Sequence, residues 1–442
     1  MKIIAREKEI KILKTIYDSK DPEFLAVYGR RRVGKTYLIT NFFENKGIFF
    51  HITGTPRATT QQQLWNFSQI YSDVLNNGDQ IEQPGSWQEA FHLLKKGIDR
   101  SASSTKMILF LDELPWLANK KSNFVEALSY FWNRFIENDP RIKLIVCGSA
   151  ASWMIKNVID NRGGLYNRIT KKMRLQPFNL FDTERYLKEK KNVHLSRKQI
   201  VEIYMAIGGV ASYLDLVTKG RSLAQIISDI FFDHHSPISG EFDRIFQSLF
   251  TNSDLHKKII TTLAGKKNGI NRKELFQLTG IKSGSVQTRI INELLESGFI
   301  IRQPLYGNRK KDASIRLIDE YSAFYTKWFK EITNTRIAVN DNYWLILQNS
   351  RKYASWSGHA FETLCMNHVD YIAKALGFNG ILYSYASWYY RPTDKTDSGA
   401  QIDLLIDRSD NCINLCELKF YNGLFTISKE YAKKLERKNK NL

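Results

Sequence analysis

Cysteine is scarce in this 442-residue chain: four, at positions 147, 365, 412 and 416. So few in so long a chain exclude a disulfide framework and fit a reducing compartment, so a cytoplasmic location is expected. Cys412 and Cys416 have no nearby histidine or second cysteine pair, which excludes a zinc site and leaves thiols on a strand. Long apolar runs are absent too. None approaches the ~20 residues that cross a bilayer, so no transmembrane segment is expected. Charges interrupt the apolar residues of the first thirteen positions, so no signal peptide is expected there. Internal repeats and low-complexity tracts are lacking. Acidic residues are outnumbered, 45 against 65 Lys and Arg, for a net charge of +20. That imbalance points to a polyanionic partner, a nucleic acid or a membrane surface. With 43% hydrophobic and 25% charged residues the chain is globular, and its length implies two to four domains.

Short apolar runs at 24–28, 47–53, 107–111 and 143–147 alternate with helical spacing, as at 124–136. Strands separated by helices predict a parallel sheet covered on both faces. From 181 to about 245 the spacing is helical, broken at Gly208-Gly209, and reads as a small helical lid. Residues 255–263, 272–278 and 283–296 then read as three helices, followed by strands at 299–304 and 314–318. Three helices closed by a hairpin predict a winged helix-turn-helix.

Between the first strand and the helix that begins at Lys35 stands Gly29-Arg30-Arg31-Arg32-Val33-Gly34-Lys35-Thr36, which meets every fixed position of G-x-x-x-x-G-K-[ST]. Its glycines allow backbone N–H groups to turn inward around phosphates, and a helix N-terminus adds positive field. The pattern predicts Mg-ATP binding by residues 29–37, Tyr37 included. Lys35 would reach the β- and γ-phosphates, and the Thr36 hydroxyl would bind Mg²⁺. The run 107–111 ends in Asp112-Glu113, which supplies a Mg²⁺-holding carboxylate and a general base. Ser149, after the fourth run, is placed to sense the γ-phosphate. Arg162 and Arg168 are candidates for an arginine finger, in cis or from a neighbour, or else solvated surface charges.

Arg6-Glu7, the 28–36 string, Leu111-Asp112-Glu113-Leu114-Pro115, Gly148-Ser149 and Gly208-Gly209 together resemble the prokaryotic and archaeal DEXX-box ATPases, relatives of the AAA+ and STAND groups. The resemblance runs over almost the whole chain. It implies an α/β fold with four parts: a P-loop ATPase core of AAA type at 1–180, a helical lid at 181–245, a winged helix with connector at 246–335, and a restriction-endonuclease-like domain at 336–442. One departure is visible. Val210-Ala211-Ser212-Tyr213 lacks the family's proline before the aromatic.

Lys282, Gln287 and Arg289 mark the polar side of the third helix, and Arg302, Arg309, Lys310 and Lys311 make the wing basic. Such a surface suits DNA phosphates and base edges; docking of protein is the other use of such a module. In the last hundred residues, Asp403 falls on one expected strand (399–407) and Glu417 and Lys419 on the next (411–420). Two residues apart, Glu417 and Lys419 would share a face. An Asp followed by E-x-K is the signature of PD-(D/E)xK nucleases. Asp403 and Glu417 would hold Mg²⁺, Lys419 would position water, and Glu362 would be an accessory acid. Gln401 stands where another acid is expected. The aromatics at 383–390 suit a buried strand or base stacking. After the last expected helix, at 427–437, no further strand follows, which leaves the domain truncated or completed by a homo-oligomer or protein partner. Three functions fit: an ATP-driven nuclease, a STAND-like signalling switch, and a DNA-binding regulator whose nuclease-like domain is inactive.

Overall fold

The computed structural model describes residues 2–119, 121–233, 236–238, 240–304, 306, 313–330, 343–390, 399–421 and 423–441. They form two compact units, one of residues 1–178 with Val210–Tyr213 and Ser248–Phe250, the other of the remainder.

The first unit is built on a five-stranded, wholly parallel sheet: β1 (Glu23–Tyr28), β2 (Ile48–Thr53), β3 (Met107–Asp112), β4 (Ile142–Gly148) and β5 (Lys171–Arg174), in the order β2-β3-β4-β1-β5. Successive side chains alternate between the faces. Leu25, Val27, Ile108, Phe110 and Ile145 pack with α1 (Glu7–Asp18) and α2 (Lys35–Phe43). Phe24, Ala26, Leu109, Leu111, Leu144 and Val146 pack on the opposite face with α3 (Thr60–Leu75), α4 (Trp87–Arg100) and α5 (Phe124–Phe131). Burial on both faces is why β1, β3 and β4 are largely apolar, and the one lysine among them, Lys143 of β4, is buried with its ammonium donating to the Ser19 carbonyl (3.0 Å) and the Pro140 carbonyl (3.1 Å). The edge strand β5 was not expected from the sequence. Of its residues Lys171, Lys172, Met173 and Arg174, only Met173 is buried, as suits an edge guarded by charge. The helix expected over 124–136 finishes in a π-helical turn, Trp132–Ile136.

In the second unit, α6 (Leu180–Lys191) and α7 (Arg197–Ile207) lead the expected helical stretch. Ser196 and Gln199 cap α7 reciprocally, and Gly208 ends it at φ +64°. Helices α8 (Ser253–Ala264), α9 (Arg272–Thr279) and α10 (Gly284–Glu296) are followed by the antiparallel hairpin of β6 (Ile300–Gln303) and β7 (Ser314–Leu317). An aromatic cluster packs elsewhere in the unit. The Phe324 ring lies tilted 4.4 Å from Phe231 and 5.2 Å from Trp344, and edge-on 5.5 Å from Trp356. Glu362 lies on α11 (Arg351–Asn367), which breaks at His368 before α12 (Val369–Ala375). Behind it lies a three-stranded antiparallel sheet, β10-β9-β8, of β8 (Tyr383–Tyr390), β9 (Ala400–Arg408) and β10 (Cys412–Cys416). Helix α13 (Lys429–Asn441) ends the described chain. Among the described residues no helix is long and apolar enough to cross a membrane.

Candidate functional site: a phosphate cradle and an acid cluster

The loop after β1 has a conformation that its residue types permit. Gly29 sits at φ +139°, and a Cβ there would lie 2.3 Å from the Leu175 carbonyl oxygen. Arg32 is left-handed at φ +69°, and Gly34, the N-cap of α2, is at φ +93°. Because α2 begins at Lys35, its first N–H groups have no helical carbonyl to meet and face out of the N-terminus, the geometry that receives phosphate. Arg6 braces the loop by donating to the Val33 carbonyl (3.1 Å) and the Gln176 carbonyl (2.9 Å). Arg30 is buried, whereas Arg31, Arg32 and Tyr37 are half-buried.

Strand β4 lies between β1 and β3, and its position decides what meets at the carboxyl edge. The buried Lys35 ammonium donates to the Gly29 carbonyl (3.1 Å), the Arg30 carbonyl (2.9 Å) and Ser149 Oγ (2.9 Å). Ser149 in turn donates through Oγ to Glu113 Oε1 (2.6 Å) and through its backbone N–H to Oε2 (3.2 Å). Glu113 is left-handed at φ +47°, a strained conformation for a side-chain-bearing residue that the two Ser149 bonds help to hold. Gly148 makes the approach possible, since a Cβ there would fall 2.7 Å from Met154 Sδ and 2.9 Å from Pro115 Cδ.

Asp112, almost wholly buried, accepts the Thr36 hydroxyl at Oδ2 (2.6 Å) and the Glu113 N–H at Oδ1 (2.9 Å). A hydroxyl and a carboxylate oxygen meeting in this way are the hard donors that Mg²⁺ takes, so these residues fit the ion. The sequence reading passed over His51, whose Nε2 lies 4.0 Å from Asp112 Oδ2 and whose ring stacks on Phe110 at 4.6 Å. Burial lowers the His51 pKa, against the pull of Asp112. It also passed over Cys147, whose thiol is pushed well up by burial and then by Asp112. A lone histidine in an apolar strand carries no periodicity signal. Val210–Tyr213, despite lacking the proline, rests on the loop: Ser212 N–H donates to the Arg32 carbonyl (3.3 Å). Arg168 is engaged elsewhere, in an ion pair with Glu137, and neither it nor the exposed Arg162 bonds to Lys35, Thr36, Asp112 or Glu113.

The second unit gathers Asp403, Glu417 and Lys419, but not as a strand pair. β10 stops at Cys416, so Glu417 and Lys419 lie beyond it. The reason is local. Where the ladder would continue, the Leu418 N–H donates to Asp403 Oδ2 (3.0 Å). Lys419 Nζ then lies 3.4 Å from both Asp403 Oδ2 and Glu417 Oε2. Burial opposes the Lys419 charge, but Asp403 and Glu417 outweigh it and raise the pKa. Glu417 also receives Lys438 Nζ (2.6 Å) and the Tyr431 hydroxyl (3.3 Å) from α13. Buried Glu362 has His359 Nδ1 at 3.4 Å. Its other neighbour is Arg316 of β7, which the sequence reading did not single out. Burial lowers the Arg316 pKa, while Glu362 and Asp403 raise it. Every acid here thus faces a basic side chain, and no group of three His, Cys, Asp or Glu among the described residues is placed to hold a metal ion. As arranged, the cluster does not fit a divalent cation.

On the three-helix segment, Gln287 is not free to read a partner, because its amide donates to the Ile281 carbonyl (2.6 Å). Arg289 leans towards Glu293 (4.0 Å), and Arg302 donates to Asn292 Oδ1 (3.3 Å). Lys282 is exposed. Arg309, Lys310 and Lys311 lie outside the described residues.

Residues 3–217 match the family model described as an ATPase domain predominantly from Archaea. An uncharacterized protein of Methanocaldococcus jannaschii, MJECL04, is 24% identical over 99% of this chain and 92% of its own length. The uncharacterized ATP-binding protein MJ0423 of the same organism is 42% identical over 45 residues, 10% of this chain and 76% of its own. Among solved structures, the Walker-type ATPase PABY2304 of Pyrococcus abyssi superposes with a TM-score of 0.54 at 16% identity, covering 74% of this chain and 96% of that one. The matched segment contains the whole cradle, from Arg6 to Ser212, so residues 3–217 are similar to that archaeal ATPase domain, and their α/β fold, with its five-stranded parallel sheet, matches that of the P-loop ATPase of Pyrococcus abyssi.

Proposed function

We propose that this protein binds ATP with Mg²⁺ at residues 29–37, hydrolyses it, and uses the cycle to act on DNA through its C-terminal half. The observation that carries this reading is the paired contact at the sheet edge, Thr36 to Asp112 and Lys35 through Ser149 to Glu113. Lys35 exchanges its loop carbonyls for the β- and γ-phosphates, the loop amides bind phosphate oxygens, and Thr36 and Asp112 hold Mg²⁺. Bound Mg²⁺ supplies charge neutralisation to the triphosphate. Glu113 orients and deprotonates the attacking water, and Ser149 links the γ-phosphate position to Glu113. Arg168 serves as finger only once released from Glu137. Residues 253–317 are read as a winged helix contacting DNA, and 343–441 as a nuclease-like domain. The pairing of each of its acids with a basic side chain favours a second reading, in which that domain binds or regulates without cutting, as in a signalling switch.

Calorimetry and phosphate release test the ATP site. Lys35→Ala weakens ATP binding by at least about 100-fold, the worth of its charge-assisted bonds. Glu113→Gln keeps the affinity and lowers turnover by roughly 10²–10⁴. Unchanged turnover in Glu113→Gln removes the base role, and unchanged ATP affinity in Lys35→Ala removes the site.

A further inference from the structure

A cleft of about 1320 Å³ lies within the second unit, where α9 faces the end of β8 and the start of β9. That exceeds the ~300–1,000 Å³ of pockets that take small ligands and suits a length of extended chain instead. Hydrogen bonds run without a break from one side of the cleft to the other. Ile270, just before α9, exchanges both backbone bonds with Ile315 of β7 (3.1 and 2.8 Å). β7 pairs with β6, and Gln303 of β6 donates through Nε2 to Ser387 Oγ of β8 (3.0 Å). The cleft is therefore built into the fold. Helix α9 supplies Arg272, Lys273, Glu274 and Gln277 to its lining, and β8 supplies Tyr389 and Tyr390. Glu274, the one acid among these residues, is already paired with Lys266 at 3.2 Å. The exposed Arg272 donates to Thr288 Oγ1 (2.8 Å) and the Gly284 carbonyl (3.4 Å), both neutral acceptors, so its charge is aimed but not cancelled. Lys273 is exposed too.

We propose that this cleft holds a segment of single-stranded nucleic acid, with phosphates on Arg272 and Lys273 and a base stacked on Tyr389. The proposal rests on the reading that the C-terminal half acts on DNA, and it names the form of the strand. The Tyr389 ring is 38% exposed and lines the same cleft as the two cations. A base can lie on a side-chain ring only where it is not already stacked inside a duplex, so an aromatic beside uncancelled cations selects an unpaired strand. An acidic protein surface would use the cations and leave the tyrosines idle. Every base has a flat face, and the Gln277 amide can donate or accept, so the cleft takes a strand without choosing its sequence. Binding here needs no metal ion and breaks no bond.

The test is fluorescence anisotropy of the full chain with short labelled oligo(dT), oligo(rU) and a DNA duplex, backed by photo-cross-linking of an iodouracil-substituted strand. Oligo(dT) is expected to bind more tightly than the duplex at equal salt. Tyr389→Ala is expected to weaken that binding roughly tenfold, the worth of one stacked base, and Tyr389→Phe to behave as the parent. Arg272→Gln combined with Lys273→Gln should flatten the dependence of log affinity on log salt by about 1.4, for two phosphates of a single strand. The cross-linked peptide should contain Tyr389. Unchanged binding in Tyr389→Ala, an equal loss in Tyr389→Phe, or a cross-link elsewhere overturns the cleft, and the DNA reading survives if either DNA still binds. Tyr389-dependent binding of the duplex as tight as that of oligo(dT) overturns the choice of an unpaired strand. Tyr389-dependent binding of oligo(rU) alone keeps the cleft and overturns DNA as what the C-terminal half acts on. No binding of any of the three overturns both.

Discussion

The cradle of the first unit and the acid cluster of the second use the same residue types to opposite effect. In the cradle, Asp112 is satisfied by neutral donors, the Thr36 hydroxyl and the Glu113 N–H, and Lys35 spends its three bonds on two carbonyls and a hydroxyl. Both charges are positioned but not cancelled. In the cluster, Glu417 faces two ammonium groups and Asp403 one. A carboxylate held by neutral donors keeps its charge for an incoming cation, whereas one paired with lysine has spent it. Lysine and carboxylate in one neighbourhood therefore do not make a metal site; the donor type around the carboxylate decides.

The largest effect that sharpens this contrast is expected from a matched pair. Asp112→Asn should weaken Mg²⁺-dependent ATP binding by at least about 100-fold, by calorimetry with and without the metal. Asp403→Asn should leave ATP binding untouched and cost about 1 kcal/mol in urea unfolding of the second unit, because Lys419 is well exposed. Equal losses of ATP affinity would break the comparison. A smaller effect is expected from Arg168→Ala. Its pair with Glu137 is more than a third exposed on both sides, so stability should fall by under about 1 kcal/mol, with ATP affinity unchanged.

The smallest effect extends the rule of neutral donors to a base. His368 donates from Nδ1 to the Leu364 carbonyl (2.8 Å) and accepts the Leu180 N–H at Nε2 (3.3 Å), an arrangement only the neutral ring can make. Burial lowers its pKa below 6.5, against the Leu364 bond. The unfolded chain therefore takes up the proton first as pH falls. The contribution is fully present above pH 6.5 and is lost as pH drops towards the folded value. Urea unfolding below pH 6.5 should fall off less steeply in His368→Gln than in the parent.

The readable parts of the sequence were those whose neighbours leave a pattern. β1, β3 and β4 are buried on both faces and stand out as apolar runs, whereas β5 touches the core through Met173 alone and left no run to find. Gly29, Gly34, Lys35 and Thr36 sit in one short stretch, and Asp112-Glu113 ends a strand, so most of the cradle was visible. His51, Arg6 as a brace, and Ser212 on the loop were not, because each is joined to the site by folding rather than by spacing. In the second unit, Asp403 was placed on its strand correctly, but Glu417 and Lys419 were not. A single bond from Leu418 to a side chain ended the ladder, and no alternation of polar and apolar residues encodes that.

The chain alone determined the phosphate loop, because backbone freedom at two glycines and the chemistry of Lys35 and Thr36 are local properties. It likewise determined that the first unit is a sheet buried on both faces. Tertiary structure decided which groups surround each carboxylate. Asp112 meets Thr36 because β1 and β3 flank β4, and Glu417 meets Lys438, twenty-one residues further on, because the helix that carries Lys438 folds back across it. Whether an acid stays available to a cation depends on distances of a few ångströms between segments remote in sequence, over which Coulomb energies change steeply.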